Sequence, residues 1–223
     1  KECFASLFTD RAISYREDRR FDHFKVFLSV AVQKQIFSKS SGVMFTIDPD
    51  NGHQNFIVIN SSYGLGDYIV QGKVTPDEFR IFKKSGRLVE KRLGKKSIME
   101  TRSPFGVRKK KVFPTMQKEF SISDSDAEKL ASYAKKIEEH YKRPMDIEWS
   151  KGDDNILYIV QARPETVHSR STAVPIYTLK KSGKILAEGA AVGRKIASGK
   201  VRVIRSPRQM STFRKGEVPV TKN

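Results

Sequence analysis

The sequence predicts an α+β fold with mainly antiparallel strands. Three observations carry this expectation. Val43-Met44-Phe45-Thr46-Ile47 and Phe56-Ile57-Val58-Ile59 are short apolar runs separated by Asp48-Pro49-Asp50-Asn51-Gly52, whose residues favour a turn, so 43–59 reads as a hairpin. A second pair of strand-like runs, 145–150 and 156–163, lies near the end of the same region. Between the two pairs, Leu130, Tyr133, Ala134, Ile137 and Tyr141 recur at helical spacing over 124–142. Strands linked by short turns, with a helix set apart from them, give α+β rather than a parallel α/β sheet.

The elements follow in order. Residues 2–16 read as a helix with Phe4, Leu7, Phe8, Ala12 and Tyr15 on one face and Cys3 at a core position. Phe24, Val26, Leu28, Val30, Val32 and Ile36 fall on even positions, which predicts a strand over 24–37. A glycine-containing loop is expected at 61–66, a polar turn at 72–78, and a hairpin over 78–93 turning near Lys84-Ser85-Gly86. Residues 97–119 are polar and basic without a clear period and read as an excursion. Ser123 is an N-cap for the 124–142 helix, with Asp126 three residues on completing a capping box, and Pro144 ends it. Residues 167–184, rich in Ser, Thr and Gly, read as a linker, and the apolar, glycine-rich stretch from 185 opens a second unit.

Composition excludes several classes. Hydrophobic residues are 38% of the 223, enough for a packed core and too many for a disordered chain. No apolar run approaches the ~18 residues of a membrane span, and no signal peptide is visible. A single cysteine leaves no internal disulfide framework and no multi-cysteine zinc site, which fits a reducing, cytoplasmic setting. The four histidines, His23, His53, His140 and His168, are isolated and read as surface residues. The formal charge of +18 fits a polyanionic partner, a solvated lysine-rich surface, or a fragment cut away from an acidic remainder. Lys and Arg are spread along the chain. Their densest run, Arg108-Lys109-Lys110-Lys111, falls in an expected loop without interleaved aromatics, so nucleic acid is a weak fit.

One segment pair carries chemistry. Along Met145-Asp146-Ile147-Glu148-Trp149, alternation puts Asp146 and Glu148 on one face and Met145, Ile147 and Trp149 on the other. Gln161 and Arg163 likewise share a face. With Asp153 to Ile156 as the turn, Glu148 lies opposite Gln161 and Asp146 opposite Arg163. Two carboxylates, an amide oxygen and a guanidinium suit a magnesium–nucleotide: Mg²⁺ takes hard oxygen ligands, and the planar guanidinium matches phosphate. The same residue types also suit an exposed edge hairpin with cross-strand ion pairs.

Other motifs place these residues in a family. Cys3-Phe4-Ala5-Ser6-Leu7-Phe8-Thr9-Asp10-Arg11-Ala12, Gly42-Val43-Met44-Phe45-Thr46, Tyr63-Gly64-Leu65-Gly66 and Gln71-Gly72-Lys73-Val74-Thr75-Pro76-Asp77-Glu78 resemble, in order and spacing, the phosphoenolpyruvate synthases (pyruvate, water dikinases). So do Pro144-Met145-Asp146-Ile147-Glu148-Trp149 and Ile159-Val160-Gln161-Ala162-Arg163-Pro164-Glu165-Thr166. Gly189-Ala190-Ala191-Val192-Gly193 to Gly199-Lys200-Val201 resembles the entry to that family's phosphohistidine domain. Tyr63 and Asp67 stand where the family often has Trp and Glu.

The resemblance implies an ATP-grasp fold and a gluconeogenic phosphotransferase that turns ATP, pyruvate and water into AMP, phosphoenolpyruvate and phosphate through a phosphohistidine. It implies that Glu148 and Gln161 hold Mg²⁺ and that Asp146 and Arg163 orient the ATP phosphates. The Met44-Phe45-Thr46 strand and the Gly64-Leu65-Gly66 loop would line the nucleotide cleft. Residues 1–166 would be the second part of the nucleotide domain, 167–184 a linker and 185–223 the start of the phosphohistidine domain. The first half of the nucleotide domain, the phosphohistidine and the pyruvate site would lie outside the chain, which by itself should not turn over. Pyruvate, phosphate dikinases and rifampin phosphotransferases share this region; Gln161-Ala162-Arg163-Pro164-Glu165-Thr166 favours the synthase. A basic nucleic-acid-binding protein is the reading from another class. The oligomeric state stays open.

Overall fold

The computed structural model describes residues 1–104, 106–166, 183–184, 196 and 198–221. The chain divides into two compact units, Lys1–Ile36 and Phe37–Asn223.

The first unit starts with α1 (Glu2–Ala5), a 3₁₀ turn at Ser6–Phe8 and α2 (Asp10–Arg19). The single helix expected over 2–16 is therefore broken. Thr9 breaks it, adopting an extended backbone and accepting a 3.4 Å hydrogen bond from the Ala12 amide as the N-cap of α2. Cys3 is exposed rather than in a core. Arg16 is buried: its Nη2 donates to the Leu7 carbonyl at 2.8 Å and its Nε to His23 Nδ1 at 2.9 Å. His23 Nε2 in turn meets Glu17 Oε1 at 2.6 Å. The strand expected over 24–37 does not form. His23–Lys25 is a 3₁₀ turn and 26–37 carries no ladder. Alternation alone makes no strand, because the backbone donors and acceptors need a neighbour to pair with.

The second unit is built on a six-stranded sheet of order β4-β3-β2-β1-β7-β8. Its strands are β1 (Ser38–Phe45), β2 (Phe56–Tyr63), β3 (Asp77–Phe82), β4 (Arg87–Arg92), β7 (Met145–Gly152) and β8 (Leu157–Pro164). Every neighbouring pair is antiparallel. The expected hairpins 43–59 and 78–93 form, as does the 145–163 pair. The loop expected at 61–66 is shorter, since β2 continues to Tyr63. It leads into a short helix, α3 (Asp67–Val70).

One sheet face is apolar and is covered by α5 (Asp124–Tyr141). Met44, Ile57, Ile59, Phe79, Ile81, Met145, Ile147, Trp149 and Leu157 of the strands pack with Ala127, Leu130, Ala131 and Ala134 of the helix. Alanines on the contact stripe let the helix approach the sheet closely. Each of the larger side chains contributes about 1.5–3 kcal/mol by leaving water. The capping box forms as expected: Ser123 Oγ accepts from the Asp126 amide at 3.1 Å, and Asp126 Oδ2 accepts from the Ser123 amide at 3.2 Å.

Asp126 also anchors the helix to β7, accepting from Lys151 Nζ at 2.6 Å. Burial alone would push its pKa up, but the hydrogen bonds from Lys151 and Ser123 outweigh this and hold it below the ordinary aspartate value. A depressed carboxylate adds stability above its unfolded pKa, about 3.9, and loses it as pH falls through the lower folded value. Asp126→Asn should therefore cost about 1–2 kcal/mol in urea unfolding at pH 7. The gap to wild type should shrink below about pH 4. A gap that holds constant into acid would refute the coupling.

Residues 97–119 are not an irregular excursion. They form an antiparallel ribbon, β5 (Ile98–Ser103) with β6 (Gly106–Lys111), followed by α4 (Pro114–Gln117). Arg108-Lys109-Lys110-Lys111 is thus strand, not loop. β6 is solvated on both sides and has no apolar period to betray it. Gly64 ties the ribbon to the sheet by a bridge to Glu100.

Beyond Glu165 and Thr166, the expected linker and the Gly189–Gly193 motif lie outside the described residues, apart from 183 and 184. A parallel pair follows, β9 (Lys200–Ile204) and β10 (Glu217–Thr221). The fork of Arg202 clasps Glu217, with Nη2 to Oε1 at 2.6 Å, and this hydrogen bonding pushes the Glu217 pKa down to about 2.

Candidate functional site

The second sheet face, opposite α5, carries the polar residues. Cross-strand partners share a face, so the ladder registers define rows across it. One row runs Arg163, Asp146, Phe45, Val58, Arg80, Glu90. The next runs Gln161, Glu148, Val43, Asn60, Glu78, Arg92. Asp146 faces Arg163 and Glu148 faces Gln161, the pairing expected from the turn. The route to that pairing was not expected. At the turn end Lys151 pairs with Leu157 and Trp149 with Ile159, so a bulge beside Glu148 takes up Val160 and restores the register.

Asp146 is half-buried and bound by Arg163, whose Nε and Nη2 reach its Oδ2 at 2.9 and 2.8 Å. The cross-strand ion pair is therefore real. It leaves Asp146 Oδ1 and much of the guanidinium free, since the Arg163 side chain is 59% exposed. Glu148 is half-buried and Gln161 exposed beside it. Among the described residues, no group of three His, Cys, Asp or Glu side chains is arranged to hold a metal. Glu148 and Gln161 supply two hard oxygen donors, a partial shell that fits Mg²⁺ only with further oxygens from water or phosphate.

The other anticipated residues divide. Of Met44, Phe45 and Thr46, only Phe45 has its side chain on the polar face. Met44 is fully buried against α5, and Thr46 is fully buried with Oγ1 accepting from the Met145 amide at 2.8 Å. Gly64, Leu65 and Gly66 lie beyond the other end of β1, about five residues and roughly 17 Å along the strand from Phe45. Their first two amides are already used, Gly64 on the Lys39 carbonyl and Leu65 on the Glu100 carbonyl, both at 2.9 Å. Gly64 needs to be glycine because its φ is +79° and a Cβ would sit 2.2 Å from the Glu100 oxygen. The structure thus brings Asp146, Glu148, Gln161, Arg163 and Phe45 together and keeps Gly64–Gly66 apart.

Two further polar side chains complete the Glu148 row. Asn60 follows from continuing the alternation of Ile57 and Ile59. Glu78 lies in β3 rather than in the polar turn expected at 72–78. Beside it Arg80 binds Asp48, Asp50 and Glu78, each at 3.0 Å, with Glu90 at 3.8 Å. Burial lowers the Arg80 pKa, but these carboxylates more than offset this and leave it raised. The knot ties the turn after β1 to β3 and fixes the edge of the face.

An antiparallel sheet with one face under a helix and a row of carboxylate, amide and guanidinium groups on the other defines a class: an α+β domain with one apolar, helix-covered sheet face and one polar face. The chain belongs to the family of the pyruvate phosphate dikinase AMP/ATP-binding domain, which it matches over residues 1–184. It is 45% identical to the phosphoenolpyruvate synthase of Aquifex aeolicus, over 99% of this chain and 28% of that protein. It is 46% identical to that of Synechocystis sp. and 44% identical to that of Escherichia coli, over 99% of this chain and 29% and 30% of those proteins. The chain thus spans under a third of these relatives' length. Among the described residues no helix is long and apolar enough to cross a membrane.

Proposed function

We propose that this chain is the metal–triphosphate-binding portion of an ATP-grasp-like domain in a phosphoenolpyruvate synthase. In this reading the phosphohistidine domain begins near residue 185. The observation that carries it is the register placing Glu148 beside Gln161 and Asp146 beside Arg163 on the open sheet face. Glu148 and Gln161 hold the cation, which when bound neutralises phosphate charge. Arg163, oriented by Asp146, presents its exposed donors to phosphate oxygens. Asn60 and Glu78 extend the same polar row. Phe45 offers the one aromatic surface of the anticipated β1 segment, while Met44 and Thr46 hold that strand in place from within. Gly64–Gly66 reach the nucleotide only at the far end of a cleft running along β1. These roles position and neutralise, which is what phosphoryl transfer requires of the protein.

The whole enzyme, in this reading, phosphorylates pyruvate at the expense of ATP and water through a phosphohistidine, in the cytoplasm. The chain alone is expected to release no AMP, and steady AMP formation by the purified 223-residue protein would contradict that. The site is tested by calorimetric titration with ATP, with Mg²⁺ and with EDTA. Glu148→Ala should weaken binding about 10–100-fold in Mg²⁺ and leave the EDTA value unchanged. Arg163→Ala should weaken both. Affinity indifferent to Mg²⁺ and to Glu148→Ala would defeat the assignment.

A further inference from the structure

In the first unit one histidine is held at both ring nitrogens. Arg16 Nε donates to His23 Nδ1 at 2.9 Å, and His23 Nε2 meets Glu17 Oε1 at 2.6 Å. These partners fix the proton. A guanidinium donates and never accepts, so Nδ1 carries no hydrogen. The single ring N–H is therefore on Nε2 and points at the Glu17 carboxylate.

The two partners differ in freedom. Glu17 is exposed and can follow the ring. Arg16 is buried, and its Nη2 donates to the Leu7 carbonyl at 2.8 Å, so it cannot swing away without releasing the Ser6–Phe8 turn from α2. The other charges nearby are engaged elsewhere. Asp22 Oδ1 accepts from the Phe24 amide at 3.0 Å, and its Oδ2 lies 3.7 Å from Lys25 Nζ. Arg19 lies over the Tyr15 ring, 5.6 Å from its centre. The Ser6–Phe8 turn carries no ionisable side chain.

We propose that His23 is an acid-sensitive latch, closing the His23–Lys25 turn onto α2 only while its ring is neutral. A second proton would have to sit on Nδ1, where the Arg16 Nε–H already points. The ring would then have two donors and no acceptor, and a buried guanidinium would lose its partner and face a cation. Glu17 stabilises the charged ring in either position, because its exposed side chain moves with it. The open form thus holds one proton more than the closed form and gains on it as pH falls. The ring swings out and the His23–Lys25 turn goes with it, while the Leu7 carbonyl keeps Arg16 in place. The His23 side chain is 38% exposed, so the proton has access.

Long-range ¹H–¹⁵N spectra of the full chain read the ring directly. At pH 8 His23 should show a bare Nδ1 and a protonated Nε2. The titration runs from pH 8 to pH 5, which brackets the ordinary histidine pKa of about 6.5. Protonation of His23 should shift the Phe24 and Lys25 amide signals and the Arg16 Nε–H signal together, at one midpoint. His53 and His140 should titrate without moving these signals. His23→Gln offers Arg16 an amide oxygen and takes up no proton in this range, so its Phe24, Lys25 and Arg16 signals should stay in place down to pH 5. An Nδ1–H tautomer at pH 8 overturns the proposal. So does titration of His23 that leaves Arg16 Nε–H unmoved, or the same coordinated shift in His23→Gln.

Discussion

Asp77→Ala should cost about 3–5 kcal/mol, a large part of the ~5–15 kcal/mol that hold an ordinary domain folded. Asp77 and Lys96 are both fully buried and form an ion pair. Asp77 Oδ1 also accepts from the Gly94 amide at 2.8 Å, and Oδ2 accepts from the Ser121 amide at 2.8 Å and the Ser121 hydroxyl at 2.7 Å. Lys96 also donates to the Gly94 carbonyl at 2.9 Å. The knot extends through Ser121 to Ser61 Oγ at 2.7 Å and, by its carbonyl, to Ser40 Oγ at 2.6 Å. One carboxylate therefore joins the start of β3, the approach to the ribbon and the approach to α5. Removing it leaves an ammonium in the interior with the Gly94 carbonyl and the face of the Tyr63 ring but no counter-charge, and two amides lose their acceptor. The charge, more than the lost bonds, sets the size of the effect. Lys96→Met in the same background should recover much of the loss, since a buried apolar side chain needs no partner. Urea unfolding of wild type, both single variants and the double variant measures this. If Asp77→Ala alone fails to fold, recovery in the double variant still decides it. A loss under about 1 kcal/mol, or no recovery, would contradict a buried pair.

That knot shows where the sequence is silent. Asp77 reads as part of a polar turn, and Lys96 as one lysine among many in a basic stretch. Nothing in local spacing tells a buried ion pair from a solvated one, because its burial depends on Ser121, 44 residues away. The same limit explains β5 and β6. Their order comes from pairing with each other and from Gly64 meeting Glu100, neither of which leaves an apolar period. In 24–37 the reverse holds: an alternation, blurred by Phe27 and Ala31, has no neighbouring strand to make it a ladder. Where burial is one-sided, the sequence speaks clearly. Met145, Ile147 and Trp149 against Asp146 and Glu148 state both faces of β7, and Ser123 with Asp126 states the start of α5. The candidate site residues are legible for that reason. The bulge at Val160 is not, and the expected register at Glu148 holds only because that bulge offsets a one-residue difference at the turn.

Gly42→Ala should be among the most damaging single methyls in the second unit. Gly42 lies in the middle of β1, between Ser61 of β2 and Trp149 of β7. A Cβ there would sit 1.8 Å from the Asn60 carbonyl oxygen and 2.9 Å from Trp149 Cζ2. The nearer obstacle is backbone of a neighbouring strand, which cannot rotate aside as a flexible side chain would. Overpacking usually costs about 1–3 kcal/mol; with backbone as the obstacle, the loss should be about 3 kcal/mol or more. The site should suffer with the fold. Asn60 and Glu148, the direct neighbours of Val43, belong to the polar row, and forcing β2 and Trp149 away from Gly42 displaces both. Trp149 is the only tryptophan, so its emission reads the displacement directly. The variant should show a red-shifted emission, a lower urea midpoint and weaker Mg²⁺-dependent ATP binding. The last effect should appear even at temperatures where the variant stays folded. Unchanged emission with stability within about 0.5 kcal/mol of wild type would mean that β1 and β2 have room the structure does not give them. Loss of stability with ATP binding intact would separate the packing of this strand from the site, and would move the nucleotide off the Glu148 face.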